Sequence, residues 1–464
     1  MWSLKTNCLV LIIIVFSITK YNVNSEDIGK PLLLTPLIES GRIRAAQQAS
    51  LVTGLPDAPN ITSYSGYLTV NKKFKSNMFF WYFPALNKDK KAPLLLWLQG
   101  GPGGSSLLGL FIENGPLVLD KHLKASLRQY TWAQEFSMLF IDNPIGAGFS
   151  YTQNDLGYAK NQSDVANNLY TALQQFFILF PNERLNDFYI TGESYAGKFV
   201  PALAYKIHTE GKASNINLKG IVLGNGLTDP ITQFVFGEQL FQLGLIDENQ
   251  KNVFLDKEHK LQNLIKNKQY IEAFNIIDWI FNKDILDFGG YPNSTSYLKN
   301  ITGLTYYYNY LLDTQPDDMT YYSKYLDIPA TRQAIHVGNV QFGSSLIKVR
   351  TSLKNDYIQS VKPLMPTLLD NYKVLLYTGN LDIIVSAPAT ENYIQTIQWS
   401  KTQQYSRAQR VIWKVDNQIV GYVKQVDRFV QAVVRNVGHL VPHEAPKAAH
   451  NLITRFVRDI SFSK

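Results

Sequence analysis

The sequence contains a single cysteine, Cys8, among its 464 residues. Cys8 lies in an apolar run that follows Lys5 and ends at Ile18, which is the layout of a secretory signal peptide. We therefore expect residues 1–25 to be a signal peptide and residues 26–464 to form the mature chain, which then has no thiol. This absence excludes cysteine catalysis, disulfides and zinc–thiolate sites from the mature protein.

After residue 18 the sequence has no apolar run long enough to cross a membrane. It also has no large excess of positive or negative residues. The composition, 45% hydrophobic and 18% charged, is typical of a soluble globular protein. The formal net charge of +8 comes from interspersed lysines and acids, without a basic tract that alternates with aromatic residues, so we expect no nucleic-acid partner. We expect a secreted or lysosomal protein that enters through the secretory pathway. Four glycosylation sequons fit that route, at Asn60, Asn161, Asn293 and Asn300.

Six short apolar runs, each ending at a glycine or another turn residue, predict the strands of a central sheet. Helical patterns such as Val165–Phe180 lie between them, so we expect an α/β fold with a mainly parallel sheet and helices on both faces. The functional loops should then gather at the carboxyl ends of the strands. The six runs are Ala92–Gln99, Ser137–Asp142, Asp187–Thr191, Leu218–Gly224, Lys373–Gly379 and Gln431–Asn436.

The strand–helix alternation stops in residues 230–363. Apolar residues there recur at helical spacing, at Tyr270, Phe274, Ile277 and Phe281. This segment predicts a helical lid inserted within the catalytic domain of residues 26–464. We interpret its tyrosine-rich stretch TYYYNY, residues 305–310, as packing inside the lid, with a wall of the substrate site as the alternative.

The stretch DFYITGESYAGKFVPALA places Ser194 between a predicted strand and a predicted helix. A strand, a sharp turn and a helix form the context of a nucleophile elbow, in which small residues such as Gly192 and Ala196 let the turn approach its neighbours. The motif is G-x-S-x-A, which by itself is a weak signal. The hypothesis therefore depends on finding a base, an orienting acid and an oxyanion site.

A serine nucleophile needs a base, and histidine is the usual one. Of the seven histidines, His439 follows the last predicted strand directly, on a glycine-containing loop. Asp382 follows the preceding predicted strand, whereas Asp370 comes before that strand and would lie at the wrong edge of the sheet. The chain order Ser194, Asp382, His439 is the one expected of an α/β-hydrolase triad.

The stretch WLQGGPGGSS follows another apolar strand, and paired glycines leave backbone N–H groups free to bind an oxyanion. We predict that Gly101 and Tyr195, the residue after the nucleophile, supply these donors. A phosphate-binding loop is excluded because neither the Gly-Lys-Ser/Thr ending nor the dinucleotide spacing is present.

Several of these motifs together resemble the serine carboxypeptidases of the α/β-hydrolase fold. The motifs are WLQGGPGGSSLLGLFIENGP, NPIGAGFSY, GESYAG, VLGNGLTDP, GNLD and GHLVPHEAP. The chain is most similar to the vitellogenic carboxypeptidase-like branch, which includes venom serine carboxypeptidases. The resemblance implies the same triad and oxyanion donors, an acyl-enzyme mechanism favoured at acidic pH, and release of C-terminal amino acids from peptides and proteins without a metal or organic cofactor.

The resemblance also implies a site for the free α-carboxylate of the substrate, formed by Gln99, Glu113 and Glu193 with the Gly100 backbone N–H. Crowded carboxyl groups repel each other when ionised, which raises at least one pKa, and a protonated carboxyl can donate to the substrate carboxylate. The family commonly has asparagine at the position of Gln99, so the reach of this side chain differs by one methylene.

Two other functions remain open from the sequence. A serine carboxypeptidase-like acyltransferase would pass the acyl group to an alcohol instead of water. A secreted binding or venom protein would keep the fold with vestigial catalysis.

Overall fold

The computed structural model describes residues 27–282 and 295–463. The predicted signal peptide and the sequon at Asn293 lie outside the described residues. Within them, a ten-stranded sheet has the spatial order β1-β2-β6-β3-β7-β8-β9-β12-β11-β10, and β4 pairs with β5 in a separate hairpin. The strands are β1 Tyr64–Asn71, β2 Ser76–Phe83, β3 Leu94–Leu98, β4 Leu117–Leu119, β5 Ala125–Leu127, β6 Ser137–Ile141, β7 Phe188–Glu193, β8 Leu218–Gly224, β9 Lys373–Gly379, β10 Val411–Val415, β11 Gln418–Val426 and β12 Phe429–Val434.

The six inner strands, β6, β3, β7, β8, β9 and β12, are parallel, and the outer strands at both edges pair antiparallel. The inner six correspond to the six apolar runs predicted from the sequence. A parallel strand is covered on both faces, so its residues read as a continuous apolar run. All five residues of β3, for example, are buried.

Helices cover both faces of the sheet. The side chains of β3 alternate between two hydrophobic cores: Leu94, Leu96 and Leu98 join one, and Leu95 and Trp97 join the other. The α-helices of the described residues are α1 Thr35–Glu39, α2 Ile43–Ser50, α3 Gln162–Leu179, α4 Ala196–Glu210, α5 Pro230–Gln233, α6 Gly237–Gln242, α7 Glu248–Lys266, α8 Tyr270–Ile277, α9 Tyr297–Thr302, α10 Tyr321–Asp327, α11 Pro329–Ala334, α12 Leu346–Leu353, α13 Met365–Asn371, α14 Ala387–Gln395, α15 Thr402–Arg407, α16 Val441–Glu444 and α17 Pro446–Val457.

Helices α3 and α4 contribute to the first core and α17 to the second. Short 3₁₀ and π-helical turns complete the helical content, at Gly109–Glu113, Trp132–Gln134, Asp155–Gly157, Gly211–Ser214, Asp278–Asn282, Asp317–Thr320 and Lys362–Leu364. The predicted α/β fold is therefore confirmed: the sheet is mainly parallel and carries helices on both faces.

Helices α5 to α12 lie between β8 and β9, in the segment that the sequence predicts as a lid. The predicted apolar face of this segment packs inward, with Phe274, Ile277 and Phe281 buried. No helix in the described part of the chain is long and apolar enough to cross a membrane.

Candidate active site

Ser194 lies at the turn between β7 and α4. Its φ of 61° is in the left-handed region, and its backbone N–H donates to the Gly224 carbonyl at 3.0 Å. The turn leaves no room for larger neighbours: a Cβ at Gly192 would be 2.7 Å from the Leu98 carbonyl oxygen and 2.8 Å from the Ala196 Cβ. Steric contact with β3 and α4 thus explains the small residues beside the serine, which projects from a sharp strand–turn–helix connection.

His439 and Asp382 form a buried pair on the loops after β12 and β9. The Nδ1 atom of His439 is 2.7 Å from Asp382 Oδ2, and the side chains are 1% and 0% exposed. The neutral imidazole donates from Nδ1, so Nε2 keeps its lone pair. Nε2 is buried and has no hydrogen-bond partner among the described residues, Ser194 included. The structure therefore brings the predicted acid and the predicted base into contact but does not join the predicted base to the serine. Such bonds are often long without substrate.

Asn225 is a site residue that the sequence reasoning missed. It follows β8, and its side-chain amide donates to Asp382 Oδ2 at 2.7 Å. The other Asp382 oxygen accepts the Ile384 backbone N–H at 2.8 Å. These two donors hold the carboxylate in the orientation that faces His439. The rule that located Asp382, a polar residue directly after an inner strand, also points to Asn225.

The glycine-rich loop after β3 lies against the serine turn. A Cβ at Gly100 would be 2.6 Å from the Tyr195 backbone nitrogen and 2.7 Å from the Ser194 Cβ, so only glycine allows this approach. The next residue is Gly101, the other predicted oxyanion donor. The loop thus places its own backbone beside the peptide group that joins Ser194 to Tyr195.

Asp142, the residue after β6, holds the glycine-rich loop through hydrogen bonds. One of its oxygens accepts the Ser105 hydroxyl at 2.5 Å and the Ser106 backbone N–H at 3.0 Å. The other accepts the Phe149 N–H at 2.8 Å. Burial raises the pKa of Asp142 to about 7, although these hydrogen bonds oppose the rise. The sequence reasoning did not identify Asp142, although it directly follows the inner strand β6, because its role depends on contact with the glycine-rich loop.

Glu113 and Glu193 form a buried acidic pair beside the triad loops. They are 1% and 0% exposed, and Glu193 directly precedes Ser194. Gln99 donates to Glu193 Oε1 at 3.0 Å and accepts from the Trp97 indole at 2.9 Å, so both polar atoms of its terminal amide are held. Both oxygens of Glu113 and the second oxygen of Glu193 are buried without a hydrogen-bonding donor of suitable geometry in the described residues.

The pKa values of both glutamates are raised. Burial raises the pKa of Glu113 to about 7, even though the adjacent Glu193 and the charges of His439 and Arg128 oppose the rise. Burial, followed by the negative charge of Glu113, raises the pKa of Glu193 well above its ordinary value. Both shifts favour the protonated form of the two carboxyl groups over the ionised form.

The predicted glycosylation residues lie at the surface where they are described. Asn60, Asn161 and Asn300 are exposed. Asn161 is also the N-cap of α3, since its side-chain oxygen accepts the Asp164 N–H at 2.9 Å. A glycan would attach to the amide nitrogen, so this cap leaves the attachment atom available.

A mainly parallel sheet with its serine on a strand–turn–helix elbow and its His–Asp pair on later strand ends defines an α/β-hydrolase. Among solved structures, the fold matches Kex1, a prohormone-processing carboxypeptidase from Saccharomyces cerevisiae, with a TM-score of 0.77 and 24% identity; the match covers 89% of this chain and 96% of that one.

Residues 54–459 match the sequence profile of the serine carboxypeptidases. Similar proteins include the venom serine carboxypeptidase of Apis mellifera, 47% identical over 95% of this chain and 93% of that one, and the probable serine carboxypeptidase CPVL of Homo sapiens, 45% identical over 93% and 90%. The vitellogenic carboxypeptidase of Aedes aegypti is 41% identical over 92% and 90%. The chain therefore belongs to the serine carboxypeptidase family. The predicted family and its serine-type carboxypeptidase activity on peptides are confirmed.

Proposed function

We propose that the protein removes the last residue from peptides and proteins through an acyl-enzyme formed on Ser194. The observation that carries this proposal is the buried pair Glu113 and Glu193, which lies beside the His439–Asp382 pair and has raised pKa values. A Ser–His–Asp triad by itself does not determine which acyl substrate is used. A proton-bearing carboxyl pair next to it selects a substrate that ends in a free carboxylate.

In the first half of the reaction, His439 Nε2 takes the proton of Ser194 as Oγ attacks the scissile carbonyl. Asp382 stabilises the imidazolium that forms, and the N–H groups of Gly101 and Tyr195 bind the oxyanion. His439 then gives its proton to the departing amino group, and the released amino acid leaves. In the second half, water attacks the acyl group, His439 takes the water proton, and the proton returns to Ser194.

The proposed carboxylate site consists of Gln99, Glu113, Glu193 and the Gly100 backbone N–H. A protonated carboxyl donates a short, strong hydrogen bond to the substrate carboxylate, whereas two ionised glutamates would repel it. Binding of a peptide C-terminus is therefore strongest when the pair holds its protons, which favours catalysis in acid.

Substituting Glu193 with glutamine should lower kcat/KM for free-acid peptides by about 10- to 100-fold, mostly through KM, because a weaker amide N–H replaces the acidic O–H. The measurement compares a blocked dipeptide with its C-terminal amide. Cleavage of the amide should fall far less, since the amide presents no carboxylate to the pair.

Glu183→Gln is the matched control, because Glu183 is also buried with a raised pKa but bonds Tyr82 and Asn186 instead of facing the site. It should leave the ratio of free-acid to amide cleavage unchanged. Equal losses on both substrates in the Glu193 variant would contradict the proposed carboxylate site.

The pH dependence of kcat/KM should also separate the two substrates. Glu113 is neutral below its raised pKa of about 7 and negative above it. For free-acid peptides, kcat/KM should therefore fall as the pH rises through about 7, approaching roughly tenfold per pH unit beyond it. The uncharged amides should decline less over the same range. Parallel profiles from about pH 5 to about pH 9 would show that the loss arises in the triad and not in the carboxyl pair.

We further propose that the protein enters the secretory pathway for secretion or lysosomal delivery and carries glycans at Asn60, Asn161, Asn293 and Asn300. Exposure of the three described asparagines supports this. Residues 230–363 are proposed to form a lid over the site, supported by the contact of Tyr308, from this segment, with His439.

A further inference from the structure

A short segment of the insertion, residues 307–310, crosses the loops that carry both His439 and Asp382; we call it the tyrosine strap. The His439 backbone N–H donates to the Tyr308 carbonyl at 2.7 Å. On the other loop, the Tyr310 N–H donates to the Leu381 carbonyl at 3.2 Å, and the Ile383 N–H donates to the Tyr307 carbonyl at 3.4 Å. The strap is thus hydrogen-bonded to the residues on either side of the acid and to the base itself.

The strap also contacts the imidazole. The rings of Tyr308 and His439 stack with centroids 4.6 Å apart and an angle of 20° between their planes. One face of the base is therefore covered by a side chain that comes from outside the central sheet. Next to it, a Cβ on Gly438 would overlap the Tyr308 carbonyl oxygen, so the loop and the strap pack without space between them.

Glu444 joins the strap to the histidine loop. Its Oε2 atom accepts the side-chain amide of Asn309 at 2.6 Å and the Gly438 backbone N–H at 2.8 Å. Asn309 is buried, and its own oxygen accepts the Leu311 N–H at 3.0 Å, which fixes the orientation of its amide. One carboxylate oxygen therefore bonds to the strap and to the residue directly before the base. Glu444 touches neither Ser194 nor the carboxyl pair through any hydrogen bond in the described residues.

We propose that Glu444 is a positioning residue for His439 that acts by locking Asn309 of the tyrosine strap to Gly438. The inference rests on the proposed role of His439 as the base. Without these two hydrogen bonds of Glu444, Tyr308 and the loop that carries His439 can shift together, and His439 Nε2 then moves relative to Ser194. Displacements of about 1 Å at a reacting group cost about 100-fold in rate.

The test begins with two single variants of the full chain. Glu444→Gln keeps the shape but replaces the carboxylate oxygen that accepts both hydrogen bonds with a neutral amide oxygen, so both hydrogen bonds are weakened. We expect kcat to fall by about three- to tenfold, with KM within about threefold of the parent value, since the carboxylate site is untouched. Asn309→Asp, which places two carboxylates together, should lower kcat further, by about 10- to 100-fold.

The double variant Glu444→Gln, Asn309→Asp exchanges donor and acceptor. The amide introduced at position 444 can then donate to the carboxylate introduced at position 309, and its oxygen can accept from Gly438 once the terminal amide group turns. We expect kcat to return to within about fivefold of the parent. Labelling of Ser194 by a fluorophosphonate, which does not need the carboxylate site, should slow in the single variants and recover in the double variant by the same factors.

Glu391→Gln is the matched control. Glu391 accepts from the side-chain amides of Gln431 and Gln395, and its loss should change neither kcat nor labelling. Asn309→Ala, which leaves the Glu444–Gly438 bond, covers the case in which Glu444→Gln does not fold, and should lower kcat about three- to tenfold.

Folded single variants with parent kcat and labelling rates would overturn the proposal. So would a double variant no more active than Asn309→Asp, or a loss confined to KM. A parent enzyme that is not labelled at Ser194 would instead contradict the proposed function, so the two failures are distinguishable.

Discussion

Replacing Ser194 with alanine should reduce kcat by about 10⁶-fold, the scale seen when a serine nucleophile is removed from a triad. The remaining oxyanion donors and substrate contacts cannot form the acyl-enzyme. KM should stay within a few-fold, because the proposed carboxylate site lies on other side chains. Alanine also keeps a Cβ at the left-handed φ of 61°, so the turn gains no new backbone strain. Release of the C-terminal residue from a blocked dipeptide measures the loss.

Labelling by a fluorophosphonate provides the second measurement for Ser194. The parent protein should incorporate one label at Ser194, and the alanine variant should incorporate none. Ser406→Ala is the control, since Ser406 is exposed on α15 and donates to the Gln403 carbonyl, away from the site. Unlabelled parent protein would favour the alternative of a binding protein with vestigial catalysis.

Asp382→Asn should lower kcat by about 10⁴-fold while the protein remains folded. The Asp382 oxygen that faces His439 also accepts the Asn225 amide, so it must be an acceptor for both donors. If the asparagine presents its N–H₂ to the imidazole, Nδ1 must become the acceptor and the ring proton moves to Nε2. The histidine then cannot take the serine proton. Rates for a blocked dipeptide above and below neutral pH measure the effect.

Asp370→Asn is the control for this substitution. Asp370 precedes β9, is exposed, and accepts the Ser400 hydroxyl at 2.5 Å. Its replacement should leave kcat within about twofold of the parent, since surface substitutions rarely disturb a distant site. An Asp382 variant that retains more than about a tenth of the parent activity would place the orienting acid elsewhere.

The inner strands were predictable because burial on both faces leaves a continuous apolar run. The outer strands were not predicted. β11 is only partly buried and reads as a mixed polar segment. β2, with the sequence SNMFFWYF, is buried throughout. Its aromatic residues favour a strand, but the prediction of strands relied on apolar runs that end at glycine or turn residues.

The site residues also divide into those that the sequence predicts and those that it does not. Ser194, Asp382 and His439 are recognisable because each follows an inner strand, and parallel strands deliver their carboxyl ends to one edge. The tyrosines of residues 305–310 were interpreted as packing inside the lid, with a substrate wall as the alternative, and the structure stacks Tyr308 on His439. Nothing in the local pattern of that stretch distinguishes packing within the insertion from packing against a histidine that lies far along the chain.

The sequence by itself determined which polar residues follow which buried strands, and that Cys8 is the only thiol of the 464 residues. Local periodicity and neighbouring residue types carry that information. Tertiary structure alone decided the pairings, such as Asn225 with Asp382, 157 residues apart, and Asn309 with Glu444, 135 residues apart. It also decided the raised pKa values of Glu113 and Glu193. Burial and long-range contact set these properties, and both arise only when distant segments pack together.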